Sequence, residues 1–507
     1  MKRQKDSNPL EFSESKLKNL LISSVGWLAL KRLLTQLVLS LSNLILVRLL
    51  FPKDFGSFAI VLFLVNIFWV FTDLGLGKAL IQRKKEPEVI LLRTIWWTQV
   101  GLAILVAGLI YLISPLFAKY YSGALSSEAV FWLRWLAFSQ AIANISLVSW
   151  NLLERSLNFK RILISDVSMI LMTQVVTIIL ALQGFSVKSF IYGFFIGKIF
   201  GVFITFILAP WPWGFGWRWE KLKMLLSFGV PFQISTWMGI VNTAVIPLFL
   251  GRFPGPGGWS GPAAVGFVTW ALGVGSFVGT FALIVDQIIF PLMSKVQSNK
   301  ESRSKVFSWA LRVVAIVTFI AVAILIALAP ETIKIIYTDK WLPATSALRF
   351  SLIQILLIAT TTLAMSSLLA FGEAKFFRNM NLLWAILQWA FSIPLILIFG
   401  FTGVNLAGIL VSLTAIWALF YIKKYINISY FKILKFPFFA SLLSAIVVYI
   451  LARLILIDNI LELLAVSLLG GLLYLSLLFL LMKERVIADF RIIFKLLNII
   501  LGKFKPI

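Results

Sequence analysis

The stretch GWLALKRLLTQLVLS, residues 26–40, places two adjacent cations in the middle of an apolar segment. About ten apolar-leaning residues stand on either side of Lys31 and Arg32. A helix of about twenty such residues spans the hydrocarbon core of a bilayer. Ionisable groups at that depth are rare and have a functional or a paired role. The stretch therefore predicts a membrane helix that carries charge inside the bilayer.

The composition of the whole chain also indicates a membrane protein. Of 507 residues, 60% are hydrophobic and 13% are charged, and the mean hydropathy is +0.98. A soluble domain keeps roughly a quarter of its residues charged. Cys and His are both absent, which excludes disulfides, thiolate and imidazole metal sites and Ser-His-Asp catalysis. We expect an all-α polytopic protein with no metal site and no cofactor.

Hydropathy divides the chain into fourteen candidate spans. They lie near 21–49, 55–81, 93–117, 129–152, 162–182, 186–209, 224–250, 262–292, 307–329, 344–370, 378–400, 403–422, 436–457 and 460–482. The predicted organisation is an N-terminal segment 1–20, an N-lobe 21–210, a linker 211–223, a C-lobe 224–424, two extra helices 425–482 and a basic tail 483–507.

The distribution of basic residues predicts the orientation of these spans. The formal net charge of +26 would suggest nucleic acid as the partner of a soluble protein. Of the 46 Lys and Arg residues, however, 30 fall on the side of the N-terminus and only five in the opposite loops. Cytoplasmic loops collect such an excess. We therefore expect a multi-pass protein of the cell membrane, with an uncleaved first helix, both termini cytoplasmic and no nucleic-acid partner.

The loops and a faint internal repeat favour transport over chemistry. The longest outer loops, near 118–128, 251–261 and 330–343, are too short to form a catalytic domain, so we expect no enzyme. The segments LVRLLFPKDFGSFAIV (46–61) and FLGRFPGPGGWSGPAAVGFVTWA (249–271) each run through an Arg and a Pro-containing turn into a new helix. They lie six spans apart. Repeats that flank a midplane site are a recurring transporter plan.

A polar stripe on the first helix is the strongest candidate site. Arg32, Gln36, Ser40 and Asn43 follow a helical spacing that puts them on one face. Such a face needs protein or water beside it, because lipid offers no hydrogen-bond partners. Two alternatives remain open for the deep cations: structural pairing with a carboxylate on a neighbouring helix, or the lining of a hydrated cationic cavity. The predicted cavity residues are Lys31, Arg32, Gln36, Asn43, Lys78 and Lys198.

Two acidic residues lie deep enough to bind a coupling ion. Asp73 and Asp286 are each about seven residues from the inner edge of a span, in helices that correspond in the repeat. Each could hold H⁺ or Na⁺, or neutralise a nearby cation. Because deep cations outnumber deep acids, the cavity is expected to attract anions, and Arg in particular suits phosphate.

The segments RLLFPKDFGSFAI (48–60) and FTDLGLGKALIQRKK (71–85) resemble the polysaccharide transporter, or O-antigen (Wzx-like) flippase, branch of the multidrug/oligosaccharidyl-lipid/polysaccharide (MOP) superfamily. Later segments with similar landmarks are GRF (251–253), AAVGF (263–267), FPLMSKVQ (290–297) and FGEAK (371–375). The resemblance implies two six-helix lobes in a V, plus two C-terminal helices. It also implies that a cation of helix 1, here Arg32 with Lys31, holds the diphosphate of a lipid-linked glycan.

The sequence therefore predicts a flippase that carries a polyisoprenyl-diphosphate-linked oligosaccharide from the cytoplasmic to the outer leaflet, coupled to an ion gradient. Its expected partners are that anionic lipid-linked oligosaccharide, membrane lipids and polysaccharide-assembly enzymes. The alternatives are a multidrug or cation antiporter of the same fold, a membrane glycosyltransferase or polymerase, and a non-transporting scaffold.

Overall fold

The structure is a computed structural model that describes residues 14–502, except 71, 84, 122–123, 254–255, 257, 259–260 and 297–298. Of residues 14–25, 228–238, 291, 295 and 483–502 it describes the backbone alone. The first thirteen residues of the predicted N-terminal segment and the last five of the predicted tail lie outside the described residues.

Among the described residues, the first half of the chain contains eight helices. They are α1 (Glu14–Leu49), α2 (Pro52–Trp69), α3 (Leu76–Gln82), α4 (Val89–Tyr120), α5 (Ala129–Asn144), α6 (Leu147–Arg155), α7 (Phe159–Leu182) and α8 (Ser186–Leu208). Short turns separate them, and the segment from Ala209 to Arg218 links α8 to the second half. Within this half, α7 packs along both α1 and α8, and α4 packs along α5.

The second half begins with α9 (Trp219–Thr243) and a π-helical turn (Ile246–Leu250). The remaining helices are α10 (Gly261–Lys295), α11 (Lys300–Ala327), α12 (Ala329–Thr332), α13 (Thr345–Ala370), α14 (Ala374–Phe399), α15 (Thr402–Thr414), α16 (Ile416–Tyr421), α17 (Tyr430–Ile455) and α18 (Ile460–Gly502). A second π-helical turn (Ile333–Tyr337) and a 3₁₀ turn (Asp339–Ala344) precede α13, and another 3₁₀ turn (Ile422–Lys424) follows α16.

The all-α polytopic class is confirmed. Among the described residues, twelve helices are long and apolar enough to cross a membrane, and the count reaches thirteen if α5 and α6, bent by 47°, form one span. Helix α9 and the following π-helical turn occupy the seventh predicted span, 224–250. The count is thus close to the predicted fourteen.

The second predicted span, 55–81, was wrong as one continuous helix. It is divided into α2 and α3 by a break between Trp69 and Leu76. In this break Gly75 has φ 72°, a left-handed conformation that glycine adopts at little cost. The Gly75 N–H donates to Asp73 Oδ1 at 3.1 Å, which satisfies a backbone donor at the start of α3. Local side-chain capping of this kind favours a break that hydropathy does not detect.

The two halves meet closely where the repeat segments enter α2 and α10. A Cβ on Gly56 would lie 1.6 Å from the Pro262 carbonyl oxygen, and a Cβ on Gly266 would lie 1.9 Å from the Pro52 carbonyl oxygen. Only glycine permits backbones to approach this closely. The glycines of the two repeat segments therefore bring the halves into direct backbone contact.

Side chains extend this close approach into an inter-lobe contact, which we define by Arg48, Gly56, Gly266 and Trp341. The Arg48 guanidinium donates to the carbonyl oxygens of Ile335 and Ile336, both at 2.9 Å. The Trp341 indole N–H donates to the Val47 carbonyl oxygen at 3.2 Å. Trp341 is fully buried in a core that contains residues of both halves. The two halves are therefore in close contact where α1 ends and α2 and α10 begin.

The last two long helices pack against the second half. Helix α17 lies along α11 and α18. The Tyr474 hydroxyl of α18 donates to the Ile316 carbonyl oxygen at 2.8 Å, and the Ser444 hydroxyl of α17 donates to the Gly470 carbonyl oxygen at 2.6 Å. These buried hydrogen bonds hold α17 and α18 as an addition to the second half.

Candidate functional site

Helix α1 lies between the two halves, along α7 of the first and α10 of the second. Lys31 contacts α7. Its ammonium forms an ion pair with the Asp166 carboxylate of α7, and the two side chains are 26% and 21% exposed. A partly shielded pair of this kind neutralises a charge that would be costly inside a membrane. This ion pair is a structural pairing of the kind that the sequence left open as one of two alternatives.

Arg32 faces the second half and is not paired in the same way. Asp286 of α10 lies within electrostatic reach of the Arg32 guanidinium and accepts a hydrogen bond from Ser366 of α13. Among the described residues, no carboxylate forms a direct ion pair with Arg32. Asp286 Oδ1 is buried and also has no hydrogen-bond partner there. A guanidinium has five donors to satisfy, so Arg32 keeps donors available for another group.

The polar stripe of α1 continues along the helix from Arg32. Gln36 donates weakly to Ser40, with 3.5 Å between Nε2 and Oγ. Two further atoms of α1, Thr35 Oγ1 and Asn43 Oδ1, are buried without a hydrogen-bond partner among the described residues, as is Gln287 Oε1 of α10. Buried polar groups normally have partners. The unpaired atoms are thus spread along α1 and α10, the two helices that carry Arg32 and Asp286.

Lys198 of α8 belongs to the same charge cluster as Lys31. The charge of Asp166 acts on Lys198 as well as on Lys31. The Lys198 ammonium also lies 5.0 Å from the centre of the Phe194 ring. One carboxylate therefore serves two cations. We call Lys31, Arg32, Lys198, Asp166 and Asp286 the α1 cluster, and counting formal charges it carries a net charge of +1. Sequence reasoning left Asp166 out of the site because it lies nearer to the helix end.

Lys78 and Asp73 lie in a different environment. The Lys78 ammonium is 2.8 Å from Glu154 Oε1, which joins α3 to α6. Asp73 accepts the Gly75 N–H in the break before α3, and the positive charge of Lys78 is close enough to interact with it electrostatically. No contact in the described part of the chain links either residue to Arg32. Both therefore have a structural explanation within the divided second span, and Glu154 is a partner that the sequence analysis did not predict.

The described residues contain no cluster of three or more acidic side chains that could hold a metal ion.

Comparison with protein families identifies the type of chain. A family model described as "Polysaccharide biosynthesis protein" matches residues 45–346, which is more than half of the chain. The chain belongs to the polysaccharide biosynthesis protein family. The matched residues of this family member include the inter-lobe contact, the break in the second span and Asp286. Membership confirms the resemblance to proteins of polysaccharide biosynthesis that the motifs of the first ninety residues indicated.

Two curated relatives of this family member are transport or biosynthesis proteins of bacterial polysaccharides. The chain is 23% identical over 335 residues to the lipopolysaccharide biosynthesis protein WzxC of Escherichia coli (strain K12), an alignment that covers 63% of this chain and 64% of the relative. It is 22% identical over 328 residues to the succinoglycan biosynthesis transport protein ExoT of Rhizobium meliloti (strain 1021), covering 63% of each. The chain thus spans somewhat less than two thirds of the length of these relatives.

A solved structure shares the fold of this family member. The lipid II flippase MurJ in an inward closed conformation superposes with a TM-score of 0.73 at 16% identity. The match covers 92% of this chain and 99% of MurJ. The predicted MOP-type architecture is therefore confirmed for nearly the whole chain.

Proposed function

We propose that the protein is a flippase that moves a polyisoprenyl-diphosphate-linked oligosaccharide, the repeat unit of a polysaccharide, from the cytoplasmic to the outer leaflet. The observation that carries the proposal is the position of Arg32, which lies on an apolar helix between the two halves without a direct ion pair among the described residues. Relatives named for lipopolysaccharide biosynthesis and succinoglycan transport, and the fold of a lipid II flippase, support it.

The diphosphate is the part of this substrate that Arg32 would bind. A planar guanidinium forms two parallel charge-assisted hydrogen bonds with phosphate oxygens, which strengthens and orients the contact. Lys31 and Lys198 add positive potential beside it, although Asp166 neutralises part of that charge. Gln36 and Asn43 supply neutral polar groups on the same helix. The apolar tail of the lipid would remain in the surrounding bilayer while the charged headgroup crosses inside.

Asp286 is the favoured candidate for ion coupling. Its carboxylate competes with an arriving diphosphate for the charge of Arg32, because both are anions within reach of the same guanidinium. Binding of H⁺ or Na⁺ at Asp286 would cancel that competition and so link ion entry to headgroup binding. Asp73 is the weaker candidate, since no contact in the described part of the chain links it to Arg32 and it caps the helix break instead.

The headgroup would cross the membrane by alternating access, in which the site between the lobes opens to one side at a time. In our proposal the inter-lobe contact is the gate on the outer side, and the excess of basic residues on the side of the N-terminus supports a cytoplasmic location of both termini. The gate would open when the two lobes rotate relative to each other as rigid bodies. A cation antiporter of the same fold would need acids in excess at the cavity, whereas the α1 cluster has more cations than acids. Assembly enzymes remain predicted partners.

Transbilayer transfer in proteoliposomes tests the proposed function. A polyprenyl-diphosphate glycan would be placed in the inner leaflet, and its arrival outside would be read by lectin or glycosidase accessibility. Wild type should transfer it, and Arg32→Gln should reduce the rate roughly tenfold or more, as expected for loss of charged hydrogen bonds. Arg453→Gln is the matched control, because Arg453 is an exposed residue near the end of α17, where it lies 5.4 Å from the centre of the Tyr449 ring. Equal transfer by wild type and Arg32→Gln would remove Arg32 from the substrate site.

A further inference from the structure

A polar recess lies in the first half, and no residue of the α1 cluster lines it. It has a volume of about 720 Å³ and opens between the start of α2, the turn before α5 and the turn between α7 and α8. We call it the N-lobe groove and define it by Lys53, Asp54, Glu128, Trp132 and Lys188. Its volume lies within the range of small-ligand sites. The three segments that form it lie on the side of the membrane whose loops carry few basic residues, which is the predicted outer side.

The charges of the N-lobe groove cancel. Lys53 and Lys188 contribute two positive charges, and Asp54 and Glu128 contribute two negative ones. Lys188 and Glu128 form an ion pair at 2.8 Å, and Asp54 accepts hydrogen bonds from the Ser186 hydroxyl at 2.6 Å and the Phe51 N–H at 2.9 Å. A groove of zero net charge has no general attraction for a phosphate or for a cation. Its ligand must be recognised by hydrogen bonds.

The groove offers both hydrogen-bond donors and hydrogen-bond acceptors. Ammonium groups donate, carboxylates accept, and the side chains of Ser127 and Gln183 in its wall can do either. Trp132 is 4% exposed, and its indole N–H has no hydrogen-bond partner among the described residues. A buried indole N–H normally finds a partner. A ligand rich in hydroxyl groups matches this set, because each hydroxyl both donates and accepts.

We infer that the N-lobe groove binds a neutral sugar residue of the glycan on the outer side of the membrane. The inference rests on the proposed function for the source of that glycan. The groove also touches the gate: Asp54 is followed by Phe55, whose ring packs edge-on against Trp341 with 5.3 Å between centroids. A sugar bound against Lys53 and Asp54 therefore contacts the same turn of α2 that closes the inter-lobe contact.

Binding of free glycans to the full-length protein in nanodiscs tests the inference. The probe is an immobilised array of neutral and acidic bacterial oligosaccharides without lipid. Wild type should be retained by neutral members, and Ser127→Trp, which fills the groove from an exposed position, should weaken retention at least tenfold. Trp132→Phe removes the unpaired N–H but keeps the ring, and should weaken retention in the same direction. Lys119→Trp is the matched control, because Lys119 is exposed at the end of α4 and lies outside the groove.

Several outcomes would overturn the inference. The first is that wild type binds no neutral glycan, and the second is that it binds acidic glycans alone. The third is that wild type and Ser127→Trp are retained equally while their thermal unfolding is also the same. Loss of retention in Lys31→Gln/Arg32→Gln but not in Ser127→Trp would assign glycan binding to the α1 cluster instead. Failure of the flippase proposal is distinguishable: retention without transbilayer transfer rejects that activity and keeps the groove, whereas transfer without retention rejects the groove alone.

Discussion

At the scale of single residues, the two adjacent cations of α1 have different environments although they are neighbours in sequence. Successive helical positions point about 100° apart, so Lys31 reaches Asp166 of α7 while Arg32 faces Asp286 of α10. Lys31 therefore joins α1 to the first half, and Arg32 lies between the halves. The two neighbouring cations thus have one structural contact and one role that we propose to be functional.

Removal of the Asp166 charge should destabilise the protein. Asp166→Asn leaves Lys31 without its ion-pair partner in a partly shielded site, which should cost about 1–3 kcal/mol of unfolding free energy. The double variant Lys31→Met/Asp166→Leu removes both charges and should recover most of that loss, because a buried pair is replaceable by apolar side chains. Thermal unfolding in detergent measures both. Equal stability of wild type and Asp166→Asn would show that the ion pair contributes nothing.

A carboxylate outside the membrane spans should make stability depend on pH. The hydroxyl of Tyr425 donates to Glu373, Tyr421 donates to Glu373 Oε1 at 3.1 Å, and Lys424 lies nearby. These groups, the Tyr425 hydroxyl first, lower the pKa of Glu373 below its ordinary value of 4.5. A lowered pKa means that the ionised form stabilises the fold above pH 4.5 and that this contribution is lost as the pH falls through the lowered pKa.

The variant Glu373→Gln isolates this effect. At pH 7 it should unfold at a lower temperature than wild type, and the difference should shrink as the pH is lowered below 4.5. Thermal unfolding across a pH series is the measurement. A difference that stays constant over the series would mean that Glu373 acts through packing alone.

At the scale of elements, the crossing of α2 and α10 depends on two glycines. Gly56→Ala would place a methyl carbon 1.6 Å from the Pro262 carbonyl oxygen, so the helices must separate. Overpacking typically costs 1–3 kcal/mol, and here it acts on the inter-lobe contact. We expect a Cys introduced at the fully buried Val47 to become reactive toward a membrane-impermeant maleimide in the Gly56→Ala background.

The control for this prediction is Gly101→Ala. Gly101 is also a helical glycine, in α4, but an added Cβ there meets nothing within 4 Å. It should leave the reactivity at Val47→Cys unchanged. Equal protection of Val47→Cys in the Gly56→Ala and Gly101→Ala backgrounds would contradict the account of the helix crossing.

The elements differ in how far the sequence could predict them. Apolar runs of bilayer length predicted the spans, since the hydrocarbon core selects for such runs. The break before α3 was not predicted, because it depends on one Asp that caps a left-handed glycine. The partners of the deep cations were also missed: Asp166 is 135 positions from Lys31, and no local pattern shows that α7 packs on α1. Lys31 and Arg32 themselves were found from their depth alone.

At the scale of the whole molecule, the central claim is that the two lobes alternate about the α1 cluster and that the inter-lobe contact must open. Because the chain contains no Cys, two introduced Cys residues can form an intramolecular crosslink only with each other. Phe51 and Lys340 are suitable, because they lie on opposite halves and the Lys340 ammonium is 4.4 Å from the centre of the Phe51 ring. A crosslink between these positions would hold the halves together at the proposed outer gate.

The most direct test is therefore the rate of lipid-glycan transfer by Phe51→Cys/Lys340→Cys before and after treatment with a short bifunctional thiosulfonate, and again after reduction with dithiothreitol. Each single-Cys variant, treated in the same way, controls for modification without a crosslink. We predict that transfer stops when the crosslink forms and returns when it is reduced. Transfer by the crosslinked protein at the rate of the reduced protein would contradict alternating access through this gate.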